Sequence, residues 1–198
     1  MCGPKVTSSF SLYRTVGDLP NQFFTKNTTV KGIVKTVSDG DTIRVRHVPK
    51  IKLPIPGRSM EGKKVSEETL MIRIYAVDTP EIAHFGKPAQ PFGAEAKEFT
   101  TKNLLGKQVE VKLLSKDQYE RAVAKVTYGR WPFRKDISKE LIKNGLATLY
   151  RQGGAEYDGC LNTLDGEEAA AKAGKVGLWG KAGLETPAEY KARMKAAA

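Results

Sequence analysis

Histidine and cysteine are scarce in this chain, two of each among 198 residues. A metal centre built on imidazoles therefore has almost no material, and His47 and His84 are expected at the surface. Cys2 and Cys160 are too few for a disulfide framework and read as free thiols. No run of 18 apolar residues exists, which removes a membrane-spanning helix. The opening MCGPKVTSSFSLYRTVGDLP lacks the apolar block of a secretory signal. A leader or anchor cut away earlier would leave no trace, so localisation stays open. Glycine-rich phosphate loops, internal repeats and signs of a second domain are missing as well. Negative charge is also short: 22 acidic residues against 33 Lys and Arg leave a formal charge of +11 and a pI near 9.6. Such a field draws in polyanions, nucleic acid first and an anionic membrane surface second.

What is present fits a soluble globular chain, 40% hydrophobic and 28% charged, with enough length for one domain and a core. Residues 1–28 show no period and read as an N-terminal arm. Residues 29–180 read as the domain, and 181–198 as a C-terminal tail whose Ala-rich part from Pro187 is a frayed or peripheral helix. Strands are expected in TVKGIVKTV, TIRVRHV, LMIRIYAV, KQVEVKLL and AVAKVTY, several of which alternate β-branched residues with Lys and Arg. Between the third and fourth lies a helix opened by Pro91 and closed by Gly106, with Ala94, Ala96, Phe99, Leu104 and Leu105 on its apolar face. KDISKELIKNGLA supplies a second helix, capped by Asp136 or Ser138 and stopped by Gly145. A third, with Leu161, Leu164 and Ala169 inward, runs toward VGLW, where Leu178 and Trp179 pin it to the sheet. WPFRK reads as a small hairpin, and Trp131 as a packing residue. The order predicts an α+β fold, a five-stranded OB-type β-barrel with three helices.

Two short stretches concentrate carboxylates. VSDGDTIRV places Asp39 and Asp41 at a strand-to-strand turn, and AVDTPE places Asp78 and Glu81 at the end of the third strand. If the first three strands form a meander, both turns meet at one rim of the sheet. Oxygen donors without His or Cys point to a hard cation, calcium or magnesium. The plainer alternative is two separate turns in which Asp caps the local backbone. DGDT does not continue into an EF-hand loop, because Thr42, Ile43 and Arg44 cannot supply its ligands. Arg73 on the third strand and Arg121 before the fifth add guanidiniums suited to phosphate. A cation, two arginines and a glutamate in one place would suffice for phosphodiester hydrolysis.

VSDGDTIRV, RIYAVDTPE, DQYERAVAKV, IKNGLA and VGLW, in this order and spacing, resemble the staphylococcal-type nuclease family over residues 29–180. The resemblance implies a calcium-dependent nuclease that cuts single-stranded DNA or RNA with little sequence preference and leaves a 3′-phosphate. It implies that Asp41, Asp78 and the backbone carbonyl of Thr79 hold the calcium, with Asp39 just behind them. Glu81 would activate the attacking water, Arg73 and Arg121 would grip the scissile phosphate, and Tyr119 would hydrogen-bond its neighbour. Tyr150 would stack on a base, although it stands three residues beyond Ala147 rather than four, where Arg151 stands instead. Glu120 interrupts the usual Tyr-Gly-Arg, so an extra carboxylate sits beside Arg121. The long connection 48–68, with Lys50, Lys52, Arg58, Lys63 and Lys64, is a substrate flap, a site for a protein or membrane surface, or merely solvated. A non-catalytic OB-type module that binds nucleic acid or protein is the alternative, and a monomer is the default.

Overall fold

The computed structural model describes residues 12–49, 64–83, 88–181, 183 and 185–196. Strand β1 (Thr29–Val37) turns through Asp39, Gly40 and Asp41 into β2 (Thr42–Val48), and the two pair antiparallel with Val37 opposite Ile43. Alternation buries Val34, Ile43 and Val45 on one face, the period-two pattern of a half-buried strand. β2 then pairs with β3 (Leu70–Ile74), and β1 with β5 (Gln108–Lys116). β6 (Ala122–Tyr128) lies antiparallel to β5 and parallel to β3, with Arg73 opposite Val123. That last pairing closes the five strands β3-β2-β1-β5-β6 into a barrel, removing the free edges an open sheet would expose. The expected α+β barrel is therefore present.

The third strand is shorter than expected. It breaks at Tyr75 and Ala76, where Ala76 adopts a φ of 61°. The chain resumes as β4 (Val77–Asp78), which leaves the barrel to pair with β8 (Thr148–Leu149). The break turns Asp78 away from the barrel wall.

Among the described residues there are five α-helices: α1 (Asn21–Thr25), α2 (Gly93–Leu104), α3 (Ile137–Lys143), α4 (Leu161–Ala173) and α5 (Pro187–Ala196). α3 begins as expected, with the Asp136 carboxylate accepting from the Ser138 N–H at 3.0 Å, and Gly145 at φ 61° follows it. Its Ile137, Leu141 and Ile142 are fully buried, each contributing about 1.5–3 kcal/mol by leaving water.

Several inward faces differ from the expected ones, because polar residues with buried partners replace apolar ones. On α2 it is Thr100, not Ala94 or Leu105, that joins Ala96 and Leu104 inside. Its hydroxyl donates to the Gly40 carbonyl at 2.7 Å. On α4, Glu168 is buried and Ala169 is exposed. Glu168 accepts from the Leu149 N–H at 2.8 Å and pairs with Arg151 and Lys172.

Residues expected to stand apart also pack. Tyr13, Val16, Leu19 and Phe24 join the core, so residues 12–28 cover one side of the barrel. His47 is buried rather than exposed: its Nδ1 accepts from the Tyr13 N–H at 3.3 Å, and its ring lies against Tyr13. Burial holds its pKa down to about 4. Trp131 goes the other way. It sits at the tip of the hairpin between β6 and β7 (Lys135–Asp136), 82% exposed, because the hairpin outruns the barrel. Leu178 is buried as expected and donates its N–H to the Gly145 carbonyl, and Trp179 lies beneath the Lys172 ammonium. Cys160 is a free thiol. Cys2, His84 and residues 50–63, which carry most of the long basic connection, lie outside the described residues.

Candidate active site

The two carboxylate turns do meet. Gly40 is the point of contact: a Cβ there would stand 2.7–2.8 Å from the side chain of Thr79, so only glycine lets the Asp39–Asp41 turn close onto the residues after β4. The Gly40 carbonyl is tied to α2 by Thr100, and the Asp41 carbonyl accepts from the Ile74 N–H at 2.8 Å. The turn is thus fixed from three sides.

The two aspartates of that turn divide their work. Asp39 takes the plain role of a turn cap, its Oδ1 accepting from the Asp41 N–H at 3.1 Å. Burial, and then the charge of Asp41, push its pKa up to about 7. Asp41 faces the cleft and is buried. Its Oδ2 lies 3.2 Å from Arg73 Nη1, and its Oδ1 accepts from the Thr42 hydroxyl at 3.0 Å.

From Asp41 a chain of contacts runs both ways. On one side the same Arg73 guanidinium reaches Asp78 Oδ1 at 3.7 Å and donates to the Val77 carbonyl. Burial opposes its charge, but Asp41 and Asp78 outweigh that and hold it protonated more firmly than usual. Burial raises the Asp78 pKa despite the nearby Lys191 ammonium. On the other side Arg121 Nη1 donates to the Thr42 hydroxyl at 3.4 Å, while its Nε sits 2.6 Å from Asp117 Oδ2. Parallel pairing of β3 with β6 explains the neighbourhood, since Ala122 lies opposite Ile72, one residue from Arg73.

Asp39, Asp41, Arg73, Glu81, Tyr119, Arg121 and Tyr150 all line one cleft of about 720 Å³. Asp78 and Thr79 are buried beside it. Tyr150 lies beneath Arg73, 4.8 Å from ring centre to guanidinium carbon. Arg151 turns away to Asp165 and Glu168 on α4, so Tyr150 is the residue that faces the cleft. Tyr119 is 68% exposed at the rim, with the Arg121 guanidinium over its ring. Glu120, at φ 57°, is exposed in the same turn. The carboxylate that holds Arg121 is Asp117, which also accepts from the backbone of Tyr119 and Arg121 at 2.9 Å. The i,i+4 spacing of Asp117 and Arg121 around a tight turn was the available signal for it.

Glu81 is fixed through its backbone. Its N–H donates to Gln90 Oε1 at 3.0 Å, and its carbonyl accepts from the Gln90 N–H at 2.8 Å. Gly93 opens α2 against it, since a Cβ there would stand 2.6 Å from the Glu81 carbonyl oxygen. The Glu81 carboxylate meets a residue that sequence reasoning missed. Lys191 of α5 places its Nζ 2.6 Å from Asp78 Oδ1 and 3.0 Å from Glu81 Oε1. The helix expected to be frayed or peripheral therefore reaches the cleft. Tyr190 and Pro187 are buried beneath it, and the Tyr190 hydroxyl donates to the Pro88 carbonyl at 2.6 Å.

Does this donor set suit a cation? Among the described residues, no three His, Cys, Asp or Glu side chains form a group that could hold a metal by themselves. Two inner carboxylates are available, Asp41 and Asp78, close enough for one guanidinium to reach both. Asp78 Oδ2 is buried without a hydrogen-bond partner, an expensive arrangement unless something else takes that lone pair. All-oxygen donors, completed by a backbone carbonyl and water, fit a hard divalent ion. The residues present are compatible with one.

Over residues 71–181 the chain matches the family described as Staphylococcal nuclease homologue. It is 45% identical to Endonuclease Htp3 of Saprolegnia parasitica over 190 residues, covering 96% of this chain and 89% of that protein. Similarity extends to two proteins each called Probable endonuclease LCL3. The one from Pyricularia oryzae is 41% identical over 87% of this chain and 70% of its own length. The one from Komagataella phaffii is 37% identical over 96% and 89%. The closed five-stranded barrel agrees with this match: the chain belongs to the staphylococcal nuclease family.

Proposed function

We propose that this protein is a calcium-dependent endonuclease acting on single-stranded DNA and RNA. The observation that carries the reading is the alternation of charge along one cleft, Asp117–Arg121–Thr42–Asp41–Arg73–Asp78. Two guanidiniums there are held in place by carboxylates yet face solvent on a strongly basic protein. Relatives named as endonucleases support the same assignment.

In this reading Asp41, Asp78 and the Thr79 carbonyl hold the calcium, with Asp39 bracing the turn behind Asp41. When bound, the ion supplies Lewis-acid stabilisation of charge developing on the phosphoryl oxygens. Arg73 and Arg121 donate to the remaining phosphate oxygens, where their planar forks favour the crowded transition state over the ground state. Glu81 orients a water for attack on phosphorus and takes its proton. The phosphorus bond to the 5′-oxygen then breaks and the departing oxygen takes a proton from solvent, leaving a 3′-phosphate and a 5′-hydroxyl. Tyr119 at the rim donates to the next phosphate, and the Tyr150 ring offers a stacking face for a base, which tolerates any sequence.

The test is denatured DNA and RNA incubated with protein in calcium, in magnesium and in chelator, beside Glu81→Gln. Calcium-dependent cutting with 3′-phosphate ends is expected, with turnover about 10²–10⁴-fold lower in the variant, the usual worth of a positioned base. Cutting that persists unchanged in Glu81→Gln removes Glu81 from the mechanism. Binding without cutting under every condition would establish a non-catalytic OB-type module instead.

A further inference from the structure

We propose that Lys191 is an internal counter-cation of the active site, which neutralises Asp78 and Glu81 in the calcium-free protein and sets how much calcium is needed to load it. The inference rests on the reading that Asp41 and Asp78 take the ion, and adds to it a residue beyond the stretch matched to the family, which ends at residue 181.

The geometry is that of a placed charge. Lys191 Nζ stands within hydrogen-bond distance of Asp78 Oδ1 and of Glu81 Oε1, at 2.6 and 3.0 Å. Asp78 is almost wholly buried, whereas the Lys191 side chain remains 39% exposed. A buried carboxylate near Asp41 needs a compensating charge, and a lysine on a flexible stem can supply one and still withdraw.

The helix that carries Lys191 is held independently of it. Gln90, which clamps the Glu81 backbone, also donates through Nε2 to the carbonyls of Glu185 and Thr186 at 3.4 Å each. Thr186 and Glu189 cap the start of α5 reciprocally. Tyr190 anchors its first turn under Pro88. α5 is thus tied to the segment bearing Glu81, and Lys191 is delivered to the cleft by a docked element.

An ion ligated by Asp78 would share that carboxylate with the ammonium. Two positive centres a few ångströms apart repel strongly wherever water is partly excluded. Loading the site therefore means displacing Lys191 from Asp78, and the ammonium weakens calcium binding by what its own contact is worth.

The experiment measures calcium binding by isothermal titration calorimetry, without substrate, on the full chain and on Lys191→Met, Lys191→Arg and Lys195→Met. Lys195 is exposed on the same helix and controls for net charge. Lys191→Met should bind calcium at least about tenfold more tightly and, in chelator, melt roughly 2–4 °C lower. Lys191→Arg and Lys195→Met should stay near the parent affinity. Parent and Lys191→Met binding calcium equally would overturn the proposal while leaving the calcium reading intact. An equal gain in Lys195→Met would also overturn it, by showing an effect of bulk charge. No binding by any of the four proteins would remove the calcium reading and this inference together.

Discussion

Two polar clusters on the same barrel answer to different demands. On the outer wall, Lys112, Lys125, Asp136, Asp158, Tyr75 and Cys160 form a closed set. Asp158 receives Lys112 at 2.6 Å on one oxygen and Lys125 at 3.3 Å on the other. Asp136 receives the Ser138 N–H on one oxygen and the Tyr75 hydroxyl, at 2.5 Å, on the other. Lys125 also reaches the Cys160 sulfur at 3.1 Å. Nothing on either carboxylate is left over. The cleft is built from similar parts, yet Asp78 keeps a buried oxygen without a partner and Arg73 and Arg121 face open space. A satisfied cluster holds the fold together, while one with unmet capacity is ready to take a ligand. Composition cannot separate the two; the hydrogen-bond accounting does.

The contrast is sharpest at Arg121. Arg121→Ala should lower turnover by about 10²–10³-fold, some 3–4 kcal/mol of transition-state stabilisation. Stability should shift by no more than about 1 kcal/mol, because Asp117 keeps two backbone donors. A loss confined to KM would reassign Arg121 to ground-state phosphate contact.

His47 tests a third situation, a buried ionisable group whose ring nitrogen meets a backbone N–H. Its folded pKa of about 4 lies below the ordinary 6.5. Between those values the unfolded chain binds the extra proton and the folded one does not, so stability falls as pH drops from 6.5 toward 4. The loss is at most about 3 kcal/mol. Denaturant titrations across that window should show the slope in the parent and less of it in His47→Gln, whose carbonyl can still accept from Tyr13. An unchanged slope would assign the acid sensitivity elsewhere.

The wall cluster should give the smallest effect and the opposite pattern from Arg121. Tyr75→Phe removes one hydrogen bond to Asp136 and should cost about 1–2 kcal/mol of stability, with any nuclease activity of the parent unchanged. Equal losses of activity and stability would erase the distinction between the two clusters.

Contiguity decided how much of the site could be read from the chain. Asp39, Asp41, Asp78 and Glu81 fall in two turns whose residues are neighbours in sequence, and the barrel order brings those turns together. Gly40 and Thr100 are different. Each holds the site through a partner far along the chain, and neither glycine nor a polar residue on a helix announces such a contact. Lys191 had a weaker signal. Pro187, Tyr190, Lys191 and Met194 share one side of α5 at the i, i+3, i+4, i+7 spacing of a packed helix, which the alanines around them obscured. The barrel was legible because alternation in strands is local. The break at Ala76 was not, since a non-glycine residue at positive φ is imposed by the packing around it.

The parallel pairing of β3 with β6 has a consequence for the life of the chain. It joins Ile72 to Ala122 and is the contact that sets Arg73 beside Arg121. No fragment ending before Arg121 contains both guanidiniums, and none ending before Lys191 carries the ammonium that neutralises Asp78. Synthesis runs from the N-terminus, so the carboxylates emerge first and the residues that complete the cleft emerge last. A nascent chain therefore lacks the complete cleft until Arg121 has emerged and β6 has paired with β3.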